Sequence, residues 1–267
     1  MKNILLLVHD DAGQEARFQA ALDVTRALEG HLSCLDVVMV PTLAAADYWS
    51  GSGTAMLLEE ERNAEATNRS RLSERLRRED VQWSWIDATG DLALCIERAA
   101  ILSELIVVNR RLDGFPYPDT RTLASDLVVR SGKPILAVPD GVTGFAASGS
   151  ALVAWDGSRE ADAALQAAAP LLKLATDVTL IEIDDGSIAI RAEHAASFLS
   201  RHGIHPRVQR EPGRSGVDNV LLQQIAVHEA DYLVMGGFGH SRLSEALMGG
   251  VSRTMLTRCP VPLFLAH

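Results

Sequence analysis

The sequence predicts an α/β protein made of two tandem, doubly wound, five-stranded parallel sheets related by a pseudo-two-fold axis. Three observations predict it. Short runs that are apolar throughout, such as NILLLVH from Asn3 and ELIVVN from Glu104, alternate with stretches of helical period, the pattern of strands covered on both faces. The series stops at PDGVTGFAASGS, residues 139–150, where Gly, Ala and Ser leave little to bury, and then begins again. Finally, DLALCIERAAILSELIVVN from Asp91 overlays DNVLLQQIAVHEADYLVMG from Asp218, acid on acid in the helix and apolar on apolar in the strand. The halves read as a tandem repeat, with domains at 1–140 and 150–267.

In the first half, NILLLVH is followed by QEARFQAALDVTRALEG, in which Phe18, Ala21, Leu22, Thr25 and Leu28 share one helical face and Gly30 stands where a helix stops. SCLDVVMV, VQWSWID, ELIVVN and PILAVP supply the other four strands, and residues 92–102 a further helix. PTLAAADYWSGSGTAM is extra material, leading into a long charged helix near residues 57–78 that reads as a solvated face. In the second half, ALVAWD opens the series and Ser158 is placed to cap the helix after it. DVTLIEID, HPRVQ, DYLVM and PLFLA complete five strands. Right-handed crossovers then put ligand sites at the carboxyl ends of the strands.

Composition narrows the function. A net charge of −10 argues against nonspecific binding to nucleic acid or acidic membranes, because both would be repelled. The mean hydropathy of +0.07 is that of an ordinary globular chain, and five apolar residues before His9 are too few for a signal-peptide core, so a cytoplasmic location is expected. Cys34, Cys95 and Cys259 are odd in number and far apart, which reads as free thiols rather than a disulfide or zinc framework. No H-x3-H or H-E-x2-H pair occurs, so His205, His228 and His240 read as surface or loop residues and no metal ligand is expected. Asp184 and Asp185 read as a solvated loop, and Trp83 and Trp85, at period two, as core or interdomain packing.

The chemistry concentrates in GGFGHSRLSEALMGGVSRTML, residues 236–256. Gly236, Gly237 and Gly239 follow the fourth strand of the second half directly, where the absence of Cβ permits positive φ and lets main-chain N–H groups approach an anion. Gly249 and Gly250 stand where the last helix begins, so free N–H groups and the positive end of its dipole face the same space. Ser252 adds a hydroxyl, and His240, Arg242 and Arg253 local positive or donor character.

This segment resembles the universal stress protein family, whose nucleotide-binding members carry G-x2-G-x9-G-[ST]. Gly236, Gly239 and Gly249 reproduce the spacing; Gly250 stands where the family has Ser or Thr, removing one hydroxyl from the phosphate site. The resemblance covers the whole chain and implies a Rossmann-like, adenine nucleotide alpha hydrolase-like fold that binds ATP or AMP, with or without Mg2+. It places Asp156 and Ile183 at adenine, and Met235, Gly236 and Gly239 at ribose and phosphate. His240 and Ser241 fall in the loop, and Gly249, Gly250, Val251 and Ser252 in the phosphate cradle. In the first half Asn109 falls on Gly236 and Leu112 on Gly239, so that half reads as a degenerate copy in which Asp10 matches the adenine acid.

Other readings fit less well. GFGHSR puts Arg242 where a dinucleotide fingerprint needs its third glycine; a G-x4-G-K-[ST] loop is absent; and GHSRL lacks the final glycine of a nucleophile elbow. The expectation is a nonenzymatic regulatory protein of the stress response. Its expected partners are an adenine nucleotide and a protein, a second copy of the chain included. A slow ATPase or phosphotransferase using the same pocket, and an interaction module that binds no nucleotide, are the alternatives.

Overall fold

The structure, a computed structural model, describes residues 1–39, 51–110, 123–239 and 250–267, with no side-chain description for 51–58. The strands are β1 (Asn3–Val8), β2 (His31–Met39), β3 (Gln82–Gly90), β4 (Leu105–Asn109), β5 (Ile135–Val138), β6 (Ser150–Trp155), β7 (Asp177–Asp184), β8 (Arg207–Pro212), β9 (Tyr232–Gly236) and β10 (Leu263–Ala266). Between them run α1 (Gln14–Ala27), α2 (Gly51–Leu76), α3 (Leu92–Ala99), α4 (Leu123–Ser131), α5 (Arg159–Leu172), α6 (Ala192–Arg201), α7 (Val217–Val227) and α8 (Gly250–Arg258). Each half is parallel and doubly wound.

The two five-stranded sheets are fused into one of ten, in the order β3-β2-β1-β4-β5-β10-β9-β6-β7-β8. The seam is the single antiparallel pairing among the described residues, Ile135 with Leu265, Leu136 with Phe264 and Ala137 with Leu263. Because Ile106 pairs with Ile135 as Leu233 pairs with Leu263, Ile135 and Leu263 are equivalent positions, as are Leu136 and Phe264. The seam is therefore symmetric about Leu136–Phe264, where the pseudo-two-fold axis passes. Fusion removes an exposed edge from both sheets. It also fuses the cores: one face gathers Leu6, Phe18, Leu72, Val153, Leu165 and Leu199, the other Leu5, Leu127, Leu152, Leu233 and Met255. Since the halves run antiparallel across the seam, their carboxyl-end crevices open on opposite edges of the sheet.

Local chemistry sets the helix starts that matter here. The Ser158 hydroxyl accepts from the Ala161 N–H at 3.1 Å, capping α5, and Glu160 and Asp162 lie in its first turn, where the helix dipole favours acids. Asp91 caps α3 through the Leu94 N–H at 3.0 Å. The expectation that residues 139–150 leave little to bury is corrected: Phe145 is 5% exposed, its ring lies 5.1 Å from that of Tyr232, and its N–H donates to Asp23. One buried phenylalanine stabilises by about 1.5–3 kcal/mol, enough to dock a segment of small residues.

Helix α2 is likewise more than a solvated face. Glu65, Asn68, Leu72 and Leu76, at helical spacing, are buried against β2, while the opposite face stays exposed. Trp83 and Trp85 lie on the outermost strand, packed on the core, with Arg69 5.4 Å above the Trp85 ring; they are far from the seam between halves. The cysteines are free; burial pushes the Cys34 thiol up to about 12 and Cys259 up to about 11. No helix of the described residues is long and apolar enough to cross a membrane.

Candidate functional site

In the second half the strand order reverses between β6 and β9, and a cavity of about 340 Å³ opens at their carboxyl ends. That volume is at the lower end for small-molecule sites. One wall is apolar: Ile181 and Ile183 project from β7 at period two, Val217 and Leu221 from α7 one turn apart, with Met235 and Phe238 beside them. Asp156, at the end of β6, brings a carboxylate whose Oδ1 accepts from the Ser158 N–H at 2.9 Å. The far side is formed by Gly236, Gly239 and the first turn of α8, Gly250, Val251 and Ser252. The strand end and the helix start thus converge on one space, and a direct bond ties them, the Phe238 N–H donating to the Ser252 hydroxyl at 3.2 Å.

Of the residues singled out in the sequence, Asp156, Ile183, Met235, Gly236, Gly239, Gly250, Val251 and Ser252 line the cavity. His240, Ser241, Gly249 and Arg242 lie outside the described residues. Arg253 is exposed on α8 and does not line it. Unforeseen are Glu160, Trp155, Phe238, Asp185, Ser187, Val217 and Leu221. The α7 pair carried a readable signal, two apolar residues four apart; Glu160 carried none, since only the fold places it beside the glycines.

The glycines work differently from the expectation. Among the described residues of the loop the left-handed one is Phe238, at φ 59°, not a glycine. Gly236 is required by a close approach instead: a Cβ there would lie 2.5 Å from Ala161 N and from Glu160 C, the backbone of the first turn of α5. A Cβ on Gly239 would fall on the Glu160 carboxylate. A Cβ on Gly250 would meet no described residue within 4 Å apart from its chain neighbours and its own helix. Among the described residues the lining carries Asp156, Glu160 and Asp185 and no lysine or arginine. One end of the cavity is therefore an apolar slot, while the other offers helix N–H groups beside a carboxylate.

The first half supplies the comparison. Asn109 falls at the position of Gly236, as the alignment predicts, because Ile4 pairs with Leu105 as Ala151 pairs with Tyr232. The same register corrects the acid: His9, not Asp10, is the counterpart of Asp156, and Asp10 points outward to Arg71 at 2.8 Å. Arg17, with no exposed surface, fills this crevice. Its guanidinium donates to the carbonyls of Leu7 and His9 at 2.7 Å, to both Asp11 carboxylate oxygens, and to Asn109 Oδ1. Asn109 in turn donates to Asp140 at 2.8 Å and to the Gly13 carbonyl at 3.1 Å.

Helix α2 closes the crevice from above. His9 Nδ1 lies 2.6 Å from Glu65 Oε1 and 4.0 Å from Glu61 Oε1. Burial raises the Glu61 carboxyl, and Glu65 adds to the shift; despite its own burial Glu65 is lowered, because His9 and Asn68 bond it. Burial and Glu65 push Asp36 up to about 7.

Residues 185–267 match the model of the Universal stress protein family. By structure, the chain is similar to a universal stress protein from Archaeoglobus fulgidus DSM 4304, with a TM-score of 0.74 at 19% identity, covering 100% of this chain and 98% of that one. It is also similar to a functionally unknown protein from Pseudomonas aeruginosa PAO1, with a TM-score of 0.56 at 18% identity over 100% of this chain and 92% of that one. No curated protein sequence matches.

Proposed function

We propose that this chain is a universal stress protein, a reading supported by the match of residues 185–267 and by its fold, and that it binds ATP or AMP in its second half and uses the nucleotide as a regulatory ligand. One observation carries the reading: Asp156, Ile183, Gly236, Gly239 and the start of α8 border a single cavity. Adenine would lie against Ile181, Ile183, Val217 and Leu221, with Asp156 accepting from its amino group. The phosphates would meet the N–H groups opening α8, where the helix dipole favours an anion. The Ser252 oxygen already accepts from Phe238, which leaves its proton to donate. A Mg2+ accompanying the phosphates would be held by Glu160.

The charge pattern supports a regulatory role over hydrolysis. Phosphoryl transfer is catalysed by stabilising negative charge that develops on the transferred group. Three carboxylates and no described basic side chain around the cavity oppose that development. Binding regulates only where the nucleotide prefers one conformation, and α5, α8 and β9 all border the ligand, so occupancy acts on their mutual packing.

The test is to denature the purified protein and chromatograph what is released, then to add ATP or AMP to nucleotide-free protein and follow its melting temperature. Released adenine nucleotide, or a concentration-dependent rise that a Gly239→Trp variant loses, supports the reading. Neither a released nucleotide nor a thermal shift at millimolar ATP and AMP would overturn it in favour of a nucleotide-free interaction module.

A further inference from the structure

The crevice of the first half holds a cluster that the nucleotide reading does not use. His9, Glu61 and Glu65 each offer a ligand atom, and these atoms all lie within 4.8 Å of one another. Glu61 and Glu65 are one helical turn apart on α2, so both carboxylates face the end of β1. Glu61 Oε1 is buried without a hydrogen-bond partner, although the side chain as a whole is 19% exposed.

A second carboxylate points to the same missing charge. Asp36 is 5% exposed and its Oδ1 has no hydrogen-bond partner. It stands beside Val8, the residue before His9, beneath α2, with Glu65 and His9 within electrostatic reach. By strand register its counterpart in the second half is Glu182, since Val8 pairs with Asp36 as Trp155 pairs with Glu182. Glu182 is also fully buried, yet Arg191, Arg210 and the Ala192 N–H satisfy it at 2.7, 3.1 and 2.8 Å. One position thus carries a buried acid in both halves, bonded by two guanidinium groups in one and, among the described residues, acted on by Arg69 only at a distance in the other. Buried charge without a partner is expensive, and a dication would offset it at the first-half position.

We propose that His9, Glu61 and Glu65, with Asp36 behind them, form a binding site for a divalent transition cation of the zinc or manganese type. One imidazole with carboxylates suits these ions; the all-oxygen shells of Mg2+ and Ca2+ do not use the histidine. Bond lengths of about 2.0–2.2 Å require the ligand atoms to settle some 3–4 Å apart. From 2.6 Å, the ion would part His9 from Glu65 by about 0.4–1.4 Å and draw Glu61 inward. It would fasten α2 across the ends of β1 and β2. It would also lie on the edge of the sheet opposite the nucleotide cavity, so it cannot be the ion that accompanies phosphates there.

Isothermal titration of chelator-stripped full-length protein with ZnCl2 or MnCl2 alone, in buffer free of phosphate, tests this. The expected result is one saturable equivalent for at least one of the two ions, weakened at least the ~10-fold that even outer partners cost in Glu61→Gln and in His9→Gln, and unchanged in Asp156→Asn. X-ray absorption of the loaded wild-type chain reads the site without a substitution, and a shell with one imidazole and several oxygens is expected. No saturable binding of either ion by millimolar concentration, binding that survives both substitutions, or a shell lacking imidazole would overturn the proposal and leave His9–Glu65 a hydrogen-bonded pair. Nucleotide binding in the second half is unaffected by any of these outcomes.

Discussion

Replacing Gly236 by alanine tests the reason given for that glycine. The added methyl would lie 2.5 Å from two backbone atoms of α5, where ordinary contact begins at 3.4 Å. The shortfall is about 1 Å, and neither neighbour is a side chain that can rotate away. The end of β9 and the start of α5 must part, a distortion costing about 1–3 kcal/mol in a packed interior. For a chain of this size that lowers the melting temperature by roughly 2–4 °C per kcal/mol. The effect extends to function, because Asp156, Ser158 and Glu160 ride on the displaced segment and all border the cavity. Urea unfolding of Gly236→Ala and of wild type, each with and without ATP, reads both terms. A midpoint unchanged within error, with an undiminished ATP effect, would refute the close-approach argument.

The remaining predictions use the same site and its surroundings. Gly250→Ser adds a side chain whose Cβ meets no described residue of another segment within 4 Å; stability stays within about 0.5 kcal/mol and calorimetry shows tighter ATP binding through the restored hydroxyl. Glu160→Gln removes the carboxylate beside Gly239, so without Mg2+ its ATP affinity exceeds that of wild type, measured by titration in chelator. Glu182→Gln loses charge-assisted bonds to Arg191 and Arg210, costing about 1–3 kcal/mol at neutral pH by urea unfolding. The Glu182 carboxyl is held below its ordinary 4.5 by the Ala192 N–H and the two arginines against the cost of burial; its stabilisation is present above that value and is lost as pH falls through the lowered one, so the gap from wild type narrows in acid. Arg17→Met removes the buried guanidinium bonds to the Leu7 carbonyl, to the Asp11 carboxylate, which keeps the Gly13 N–H, and to the His9 carbonyl, which keeps the Asp11 N–H, costing about 3–5 kcal/mol in the same assay.

What was legible in the sequence was what short-range pattern encodes. Apolar runs such as ILLLV and LIVV marked strands because both sides are covered, and Ser158 marked a helix start because its hydroxyl bonds a neighbour three residues on. The overlay of Asn109 on Gly236 held because helix and strand were aligned together. The overlay of Asp10 on Asp156 slipped by one residue, since HDD presents two acids after the strand and only pairing register chooses His9. Edge fusion left no trace, because the Leu136–Phe264 seam is made by backbone bonds between strands that are apolar in any case. Phe145 hid among residues of small volume. The metal-type cluster escaped because His9 and the α2 glutamates meet only in space, and no local spacing relates them.

The two crevices differ by an exchange of one glycine. In the second half the strand end carries the glycine, Gly236, and the first turn of the helix carries the side chain, Glu160. In the first half the strand end carries Asn109, and the glycine, Gly13, sits before the helix, where a Cβ would strike the Asn109 amide and, at 2.7 Å, Asp140. Either arrangement lets α1 or α5 approach its sheet, so packing alone does not choose between them. The consequence for the crevice does. A backbone approach leaves the strand end bare and a cavity beside it; an asparagine there recruits Arg17, and the guanidinium network fills the space from within. A single duplicated plan can thereby keep one crevice for a ligand with an extended apolar face while the other is remade as a charged cluster beneath α2. The antiparallel seam puts the two on opposite edges, so any coupling between them must pass through the shared cores, not through contact between ligands.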